Sequence, residues 1–346
     1  MFNFLFDQRI IMEIFIVIGV LLYVVIAIDV LQTTLSMQGG GWITSRASHL
    51  FWKVFLLISG RNGRFWLLGH TGYLLLTCIV FSWVISLWAS LTFILYGIPG
   101  AIVESTTKIP ADFGELVYYS GYSLSTLGMG DYVATTNIAK LITSFYSFTG
   151  LILLTMSVTY FVPVLDAVIV QRQLGVKLRS LGESPQTIII NGWNGENFDR
   201  LIGKVEGISD LIIKYSQQHR AYPVVHYFHN RDPDTAVILQ LARLFEALQI
   251  LSCQVSEDIK PAAEDLKPLK VAYKNYFKVI KQVTHFSFDS KEPAWANIAW
   301  LQESRLVPED LKKLELADME KDQRIFFNSL ILLDGWSWEN VDPKSS

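Results

Sequence analysis

Cysteine is almost missing from this chain of 346 residues: Cys78 and Cys253 are its only two, one in each half. Two thiols so placed give no disulfide framework and no thiolate metal site, and they predict a reducing compartment for the second half. Basic excess is missing too. With 29 Lys and Arg against 32 Asp and Glu the formal charge is −3, which leaves no footprint for nucleic acid. No glycine fingerprint opens a βαβ unit, since "NGWNGEN" (191–197) lacks both the spacing and the helix–strand pattern that should follow. No phosphate loop or nucleophile–base set is visible, which argues against an enzyme. The N-terminal region has no small-residue cleavage pattern. Its apolar stretch Ile10–Val30 is longer than the ~7–15 residue core of a signal peptide, so an uncleaved anchor is expected.

What the chain has in quantity is apolar surface: 51% of its residues are hydrophobic. Most continuous apolar runs precede residue 171 and most charges follow it, the layout of a membrane half joined to a soluble half. Three segments supply the ~20 apolar residues needed to cross a bilayer. They are "IIMEIFIVIGVLLYVVIAIDVLQTTL", the run from Trp66 to about Ile98, and a long segment from Asn137 through "LITSFYSFTGLILLTMSVTYFVPVLDAVIV". Between the first two, Arg46, His49 and Lys53 recur at helical spacing in a short apolar stretch after Gly39–Gly41, which predicts an amphipathic helix in the membrane interface. The expected organisation is an N-terminal span (1–38), an interfacial helix and linker (39–65), a membrane module (66–171) and a helical C-terminal domain (172–346).

Arg46, Lys53, Arg61 and Arg64 precede the second span, and Arg172, Lys177 and Arg179 follow the third. The connection between those spans holds Glu104, Asp112, Glu115 and Asp131 against one basic residue, Lys108. By the positive-inside rule that connection faces outside and the C-terminal domain is cytoplasmic, in a plasma (inner) membrane. Within that domain "DTAVILQLARLFEALQILSCQV" carries an apolar stripe, with Arg243 and Glu246 assigned to its polar side. The helix Lys267–Lys281 displays lysines on a wet face. "TIIINGWNGENF" has a brief β-like run. The fold class is an all-α membrane protein.

The most informative stretch is "STLGMGDY", Ser125 to Tyr132. The segment before it, "FGELVYYSGYSLST", is about 14 residues, too short to cross. It is expected to be a re-entrant helix entering from outside. Non-helical backbone at membrane depth is tolerated where it lines a water-filled path. Glycines that alternate the sign of φ let successive carbonyls point at one axis, and four such loops replace an ion's hydration shell. The negative C-terminal ends of the short helices favour cations there.

This loop resembles the selectivity filter of tetrameric potassium channels, whose common form is Thr-Val-Gly-Tyr-Gly-Asp. Here it reads Thr126-Leu127-Gly128-Met129-Gly130-Asp131, and Tyr118-Tyr119-Ser120 is similar to the paired aromatics and serine of that family's pore helix. The resemblance covers roughly residues 66–171. It implies stacked potassium sites lined by carbonyls of Thr126, Leu127, Gly128 and Met129 with the Thr126 hydroxyl. It also implies a homotetramer in membrane lipid, with no cofactor beyond the conducted ions and no nucleic-acid partner. Asp131 sits where the family often bonds it to a pore-helix side chain, for which Tyr118 or Tyr122 is the candidate, with Tyr119 as further support. Met129 departs from the family's aromatic. A flexible methionine without a hydroxyl predicts a softer filter, so a non-selective or sodium-permeable pore stays open as an alternative. A membrane-anchored signalling or interaction protein with a vestigial pore is the rival from another class.

In the third span Gly150 is either a hinge or a close-packing site, Thr155 and Thr159 either face a cavity or bond back to their own helix, and Pro163 predicts a kink. Val158, Phe161 and Val162 form a candidate hydrophobic gate. Asp166 either gathers cations or pairs on the helix surface. No span repeats Arg or Lys at every third position, which argues against a dedicated voltage-sensor helix, and the C-terminal domain, through an unidentified ligand or partner, is the expected regulator. His226 and His229 are weak candidates for a shared metal or a pH-sensitive pair. The favoured reading of His219, His226 and His229 is ordinary histidines at a helix junction. "DGWSWEN" near the C-terminus is read as a docking segment.

Overall fold

The computed structural model describes residues 2–36, 39–283, 291–308 and 318–343; the parts of the expected N-terminal span and C-terminal domain that fall on 37–38, 284–290, 309–317 and 344–346 lie outside the described residues. In chain order the helices are α1 (Phe2–Leu35), α2 (Trp42–Ile58), α3 (Thr71–Tyr96), α4 (Phe113–Leu124), α5 (Asn137–Arg179), α6 (Pro185–Gly192), α7 (Asp199–Ala221), α8 (Val237–Cys253), α9 (Ala263–Val283), α10 (Ala299–Glu303) and α11 (Asp318–Leu333). Two short strands, β1 (Ile102–Glu104) and β2 (Tyr132–Ala134), pair antiparallel with Val103 opposite Val133. Among the described residues three helical segments are long and apolar enough to cross a membrane: Arg9–Leu35, Leu68–Tyr96 and Asn137–Arg179.

The chain forms two compact units. The first comprises Met1–Ser36, Gly40–Arg46 and Leu76–Pro163; the second comprises Met37–Gly39, Ala47–Leu75 and Val164–Ser346. In the first, small residues let the spans approach closely, as membrane helix packing requires. A Cβ at Gly19 would lie 2.6 Å from Ile94, and one at Gly97 would lie 2.4 Å from Ile16, so α1 and α3 meet almost backbone to side chain at two levels. Ser90 Oγ donates to the Gly19 carbonyl (2.6 Å) and shares a second hydrogen bond with Tyr146 of α5. Asp29, 3% exposed inside an apolar helix, is fully engaged. It accepts from the Ile43 and Thr44 backbone N–H groups, the Thr44 hydroxyl and the Trp83 indole. It therefore caps α2 from a neighbouring helix, and its buried oxygens are matched by donors.

In the second unit α8 is the central helix, buried on every face from Val237 to Leu251. The expectation that Arg243 and Glu246 mark a wet side is wrong. Both are buried because partners wait there: Arg243 donates to the carbonyls of Asn340 and Val341, and Glu246 takes both Nε (2.7 Å) and Nη2 (3.2 Å) of Arg324. Arg324 also lies 3.5 Å over the Trp295 ring and bonds Glu292. Periodicity sorts apolar from polar residues but cannot see a buried ion pair supplied from 78 positions away. The β-like "TIII" run, too short to make a sheet, is helical as expected, in α6. Ser184 caps it in a reciprocal box with Thr187, and Pro185 occupies the first turn, so local capping overrides β-branched propensity. On α9 the lysines do stand on the exposed side, with Leu266, Leu269, Tyr273 and Tyr276 inward. Trp52 of α2 is 1% exposed, donates its indole N–H to Leu333 O, and so belongs to this unit's core.

Candidate functional site

The short helix α4 is built to stop in a fixed place. Asp112 and Glu115 form a reciprocal capping box at its start (2.8 and 2.7 Å). Trp88 of α3 donates to the Val117 carbonyl (2.7 Å), and its ring lies 3.0 Å from where a Gly121 Cβ would stand. The Ser147 hydroxyl of α5 donates to the Ser123 carbonyl (2.8 Å), and Tyr119 shares a hydrogen bond with Thr143 (3.0 Å). Gly150 resolves toward close packing: a Cβ there would stand 1.9 Å from the Leu124 carbonyl oxygen, so α5 touches the last turn of α4 where only glycine fits.

Beyond α4 the backbone alternates. Thr126 (φ +61°), Gly128 (+58°) and Gly130 (+85°) are left-handed, while Leu127 and Met129 between them are not. The glycines are required by conformation and not by crowding, since nothing lies within 4 Å of a Cβ at Gly128 or Gly130. Thr126 accepts the left-handed conformation despite its branched side chain, a strain of about 1–2 kcal/mol. Among the described residues no hydrogen bond takes the carbonyl oxygens of Thr126, Leu127, Gly128 or Met129. All four residues are exposed in the single chain, Leu127 at 66% and Met129 at 58%. Alternating φ beside unclaimed carbonyls is a chemistry for cation coordination.

Around this loop the expected partners redistribute. The Tyr118 hydroxyl bears on Asp131, but Tyr122 donates instead to the Tyr132 carbonyl (2.8 Å). Sequence reading missed Tyr132 and Glu115. The Tyr132 hydroxyl donates to Glu115 Oε1 (2.6 Å), and Ser105 N–H donates to the Asp131 carbonyl (2.7 Å). The Glu at the third position of α4 was legible as half of a capping box; its second task was not.

A cavity of about 530 Å³ adjoins Ser125 and Thr126. Val80, Val84 and Trp88 of α3 line it, with Leu151, Leu154, Val158 and Phe161 of α5. Thr126 and the gate candidates Val158 and Phe161 thus face one hollow. Val162, exposed, is not part of its wall, and Pro163 lies within α5 without ending it. Thr155 and Thr159 bond back to Leu151 O and Thr155 O (3.0 and 2.9 Å). In the other unit, Asp166 accepts from Gln218 (3.2 Å).

The histidines separate. Burial, then the neighbouring His226, pushes His219 down to about 3. Burial also lowers His226. His229 goes the other way: burial opposes its charge, but the Asp334 carboxylate and the Gly63 carbonyl outweigh it, and its pKa is raised. Its ring nitrogens are committed to Asp334 and Gly63 rather than to a metal shared with His226. Among the described residues no three His, Cys, Asp or Glu side chains gather as a metal site would need.

Compared with known proteins, residues 73–167 match the family described as "Ion channel" (Ion_trans_2). The chain is 30% identical over 326 residues to the uncharacterized membrane protein YdjJ of Bacillus subtilis (strain 168), covering 94% of this chain and 95% of that protein. No solved structure matches. The chain therefore belongs to the family of YdjJ, and it carries a potassium-channel-superfamily pore module preceded by an additional N-terminal span.

Proposed function

We propose that the protein is a homotetrameric, potassium-selective channel of the plasma membrane, conducting through Thr126–Gly130 and gated at α5 by a cytoplasmic C-terminal domain. The observation that carries this reading is the left-handed conformation at every second residue from 126 to 130, next to four carbonyl oxygens that no donor among the described residues claims. One chain supplies one such strand, and a ring of coordinating oxygens needs four. The boundaries at 38, 65 and 171 assign an N-terminal span, an interfacial segment, the pore module and the regulatory domain. The positive residues flanking the pore module support an orientation with its acidic connection outside. Asp131 and its neighbours Tyr118, Tyr119 and Tyr122 brace the loop from behind. Val158, Phe161 and Val162 are the gate on its inner side, with Pro163 as the kink beyond them.

A second reading has its own support. Met129 is exposed and carries no aromatic ring of its own, so the same scaffold fits a non-selective cation pore. The reversal potential of the purified protein in a planar bilayer, potassium on one side and sodium on the other, decides between them. Selectivity places it near the potassium equilibrium potential. A value near zero with robust current discards potassium selectivity and keeps the pore, and Met129→Tyr should then move the reversal toward potassium.

A further inference from the structure

His229 sits where several segments of the second unit converge. Phe228 beside it packs on Gly72, where a Cβ would stand 2.6 Å from the ring, and edge-on to Tyr73 at 5.1 Å, in the first turn of α3. Tyr73 in turn receives Arg172 of α5 at 3.4 Å. The His229 ring lies 5.7 Å from Trp336, nearly parallel to it, and 6.0 Å from Trp52 of α2. Its Nδ1 is 3.0 Å from Asp334 Oδ1, just past the end of α11, and its Nε2 is 2.6 Å from the Gly63 carbonyl, in the linker joining α2 to α3. Gly63 N–H also donates to the Gly335 carbonyl (2.7 Å).

A carboxylate oxygen and a backbone carbonyl are both acceptors. A neutral imidazole has one N–H and can satisfy only one of them; the imidazolium has two and satisfies both. We infer that His229 is a proton-binding site whose protonated form latches the α2–α3 linker to the turn after α11, and that a cytoplasmic proton is a gating ligand of the channel. The second half of this inference rests on the conduction reading above. Losing the proton turns one donor into a lone pair facing an acceptor, so the latch opens as pH rises.

The groups facing His229 agree with that direction. Asp334 favours its charge, and Arg231, in its own loop, opposes it. Arg172 and Gln171 of α5 line a cavity of about 20 Å³ shared with His229 and Asp334, room for about one water to carry the proton. His226 is held toward neutrality by burial, with Asp334 favouring and His49 of α2 opposing its charge. Tyr215 of α7 and Tyr276 of α9 also face Asp334, and burial raises both phenols, which keeps them uncharged. The linker runs directly into α3, and Gln171 and Arg172 beside His229 belong to α5, so the latch adjoins segments continuous with both long helices of the pore module.

The test uses the full-length protein with ¹⁵N-histidine, in detergent and in potassium-loaded proteoliposomes between pH 6 and 9. The expected result is a His229 that carries both ring protons at the acid end and loses one at a higher pH than a free imidazole does. Potassium flux should differ by about fivefold to tenfold across the transition, as one titrating proton allows, since one pKa unit is a tenfold change in equilibrium. His229→Gln should flatten that dependence. Asp334→Asn, which keeps the shape and removes the charge, should move it about one unit to more acid pH. A neutral His229 throughout overturns the proton site. A titrating His229 with flux equally pH-dependent in His229→Gln, or pH-independent in the wild type, overturns its role in gating. A titrating His229 with no flux at any pH keeps the site and removes the conduction reading beneath it.

Discussion

At the residue scale, the glycines sort by what surrounds them. Gly150 and Gly203 both lie in helices, yet a Cβ at Gly150 would collide with the Leu124 carbonyl at 1.9 Å whereas nothing lies within 4 Å of one at Gly203. Backbone oxygen cannot swing aside as a side chain can. Gly150→Ala should therefore destabilise the purified protein by about 1–3 kcal/mol through overpacking. Gly203→Ala should stabilise it by about 0.5–1 kcal/mol, because alanine loses less backbone entropy in a helix. Thermal melting in detergent measures both, and a neutral Gly150→Ala would mean that α5 can retreat from α4. The sequence alone left Gly150 evenly balanced between hinge and contact. Its decisive neighbour is a carbonyl 26 residues away that no periodicity announces.

At the element scale, the two-stranded ribbon β1–β2 and the helix α4 act as one frame around residues 126–131. Glu115 is the joint: one carboxylate oxygen caps α4 through Asp112 N–H, and the other holds Tyr132 at the start of β2. Removing only the second bond, with Tyr132→Phe, should cost about 0.5–1.5 kcal/mol of stability. On the conduction reading it should also loosen the outer end of the loop, seen as faster decay of current during a maintained voltage step. Unchanged decay kinetics would mean that the Asp131 contacts with Tyr118 and Ser105 suffice. Much of this frame was legible beforehand. The spans, the re-entrant length of α4 and the glycine spacing are local properties, written in runs of neighbouring residues. The ribbon was not, because strands of three residues carry no alternation to detect and exist by pairing across 30 positions. Arg243 and Glu246 were misassigned for the same reason, their partners being remote.

At the scale of the whole molecule, the second unit is assembled from chain on both sides of the pore module's sequence. Trp52 joins Leu333 across 281 positions, His229 joins Gly63 across 166, and Gln186 joins Asp342 across 156. Trp52→Ala, a change near the beginning of the chain, should thus destabilise the C-terminal helices by about 3–5 kcal/mol, the usual loss for a fully buried tryptophan. Limited proteolysis within residues 164–343 reports it. Resistance equal to the wild type would show that those helices hold without α2.

That discontinuity sets an order on biosynthesis. At about 5–20 residues per second, a ribosome makes Leu333 roughly 15 to 55 seconds after Trp52. In that interval the segments of α3, α4 and α5 have all left the exit tunnel and can enter the bilayer. The nascent chain thus carries Trp52 without its final partner while the segments of α3, α4 and α5 are made. A chain truncated before Leu333 would then leave the Trp52 indole without the carbonyl it bonds in the full-length protein.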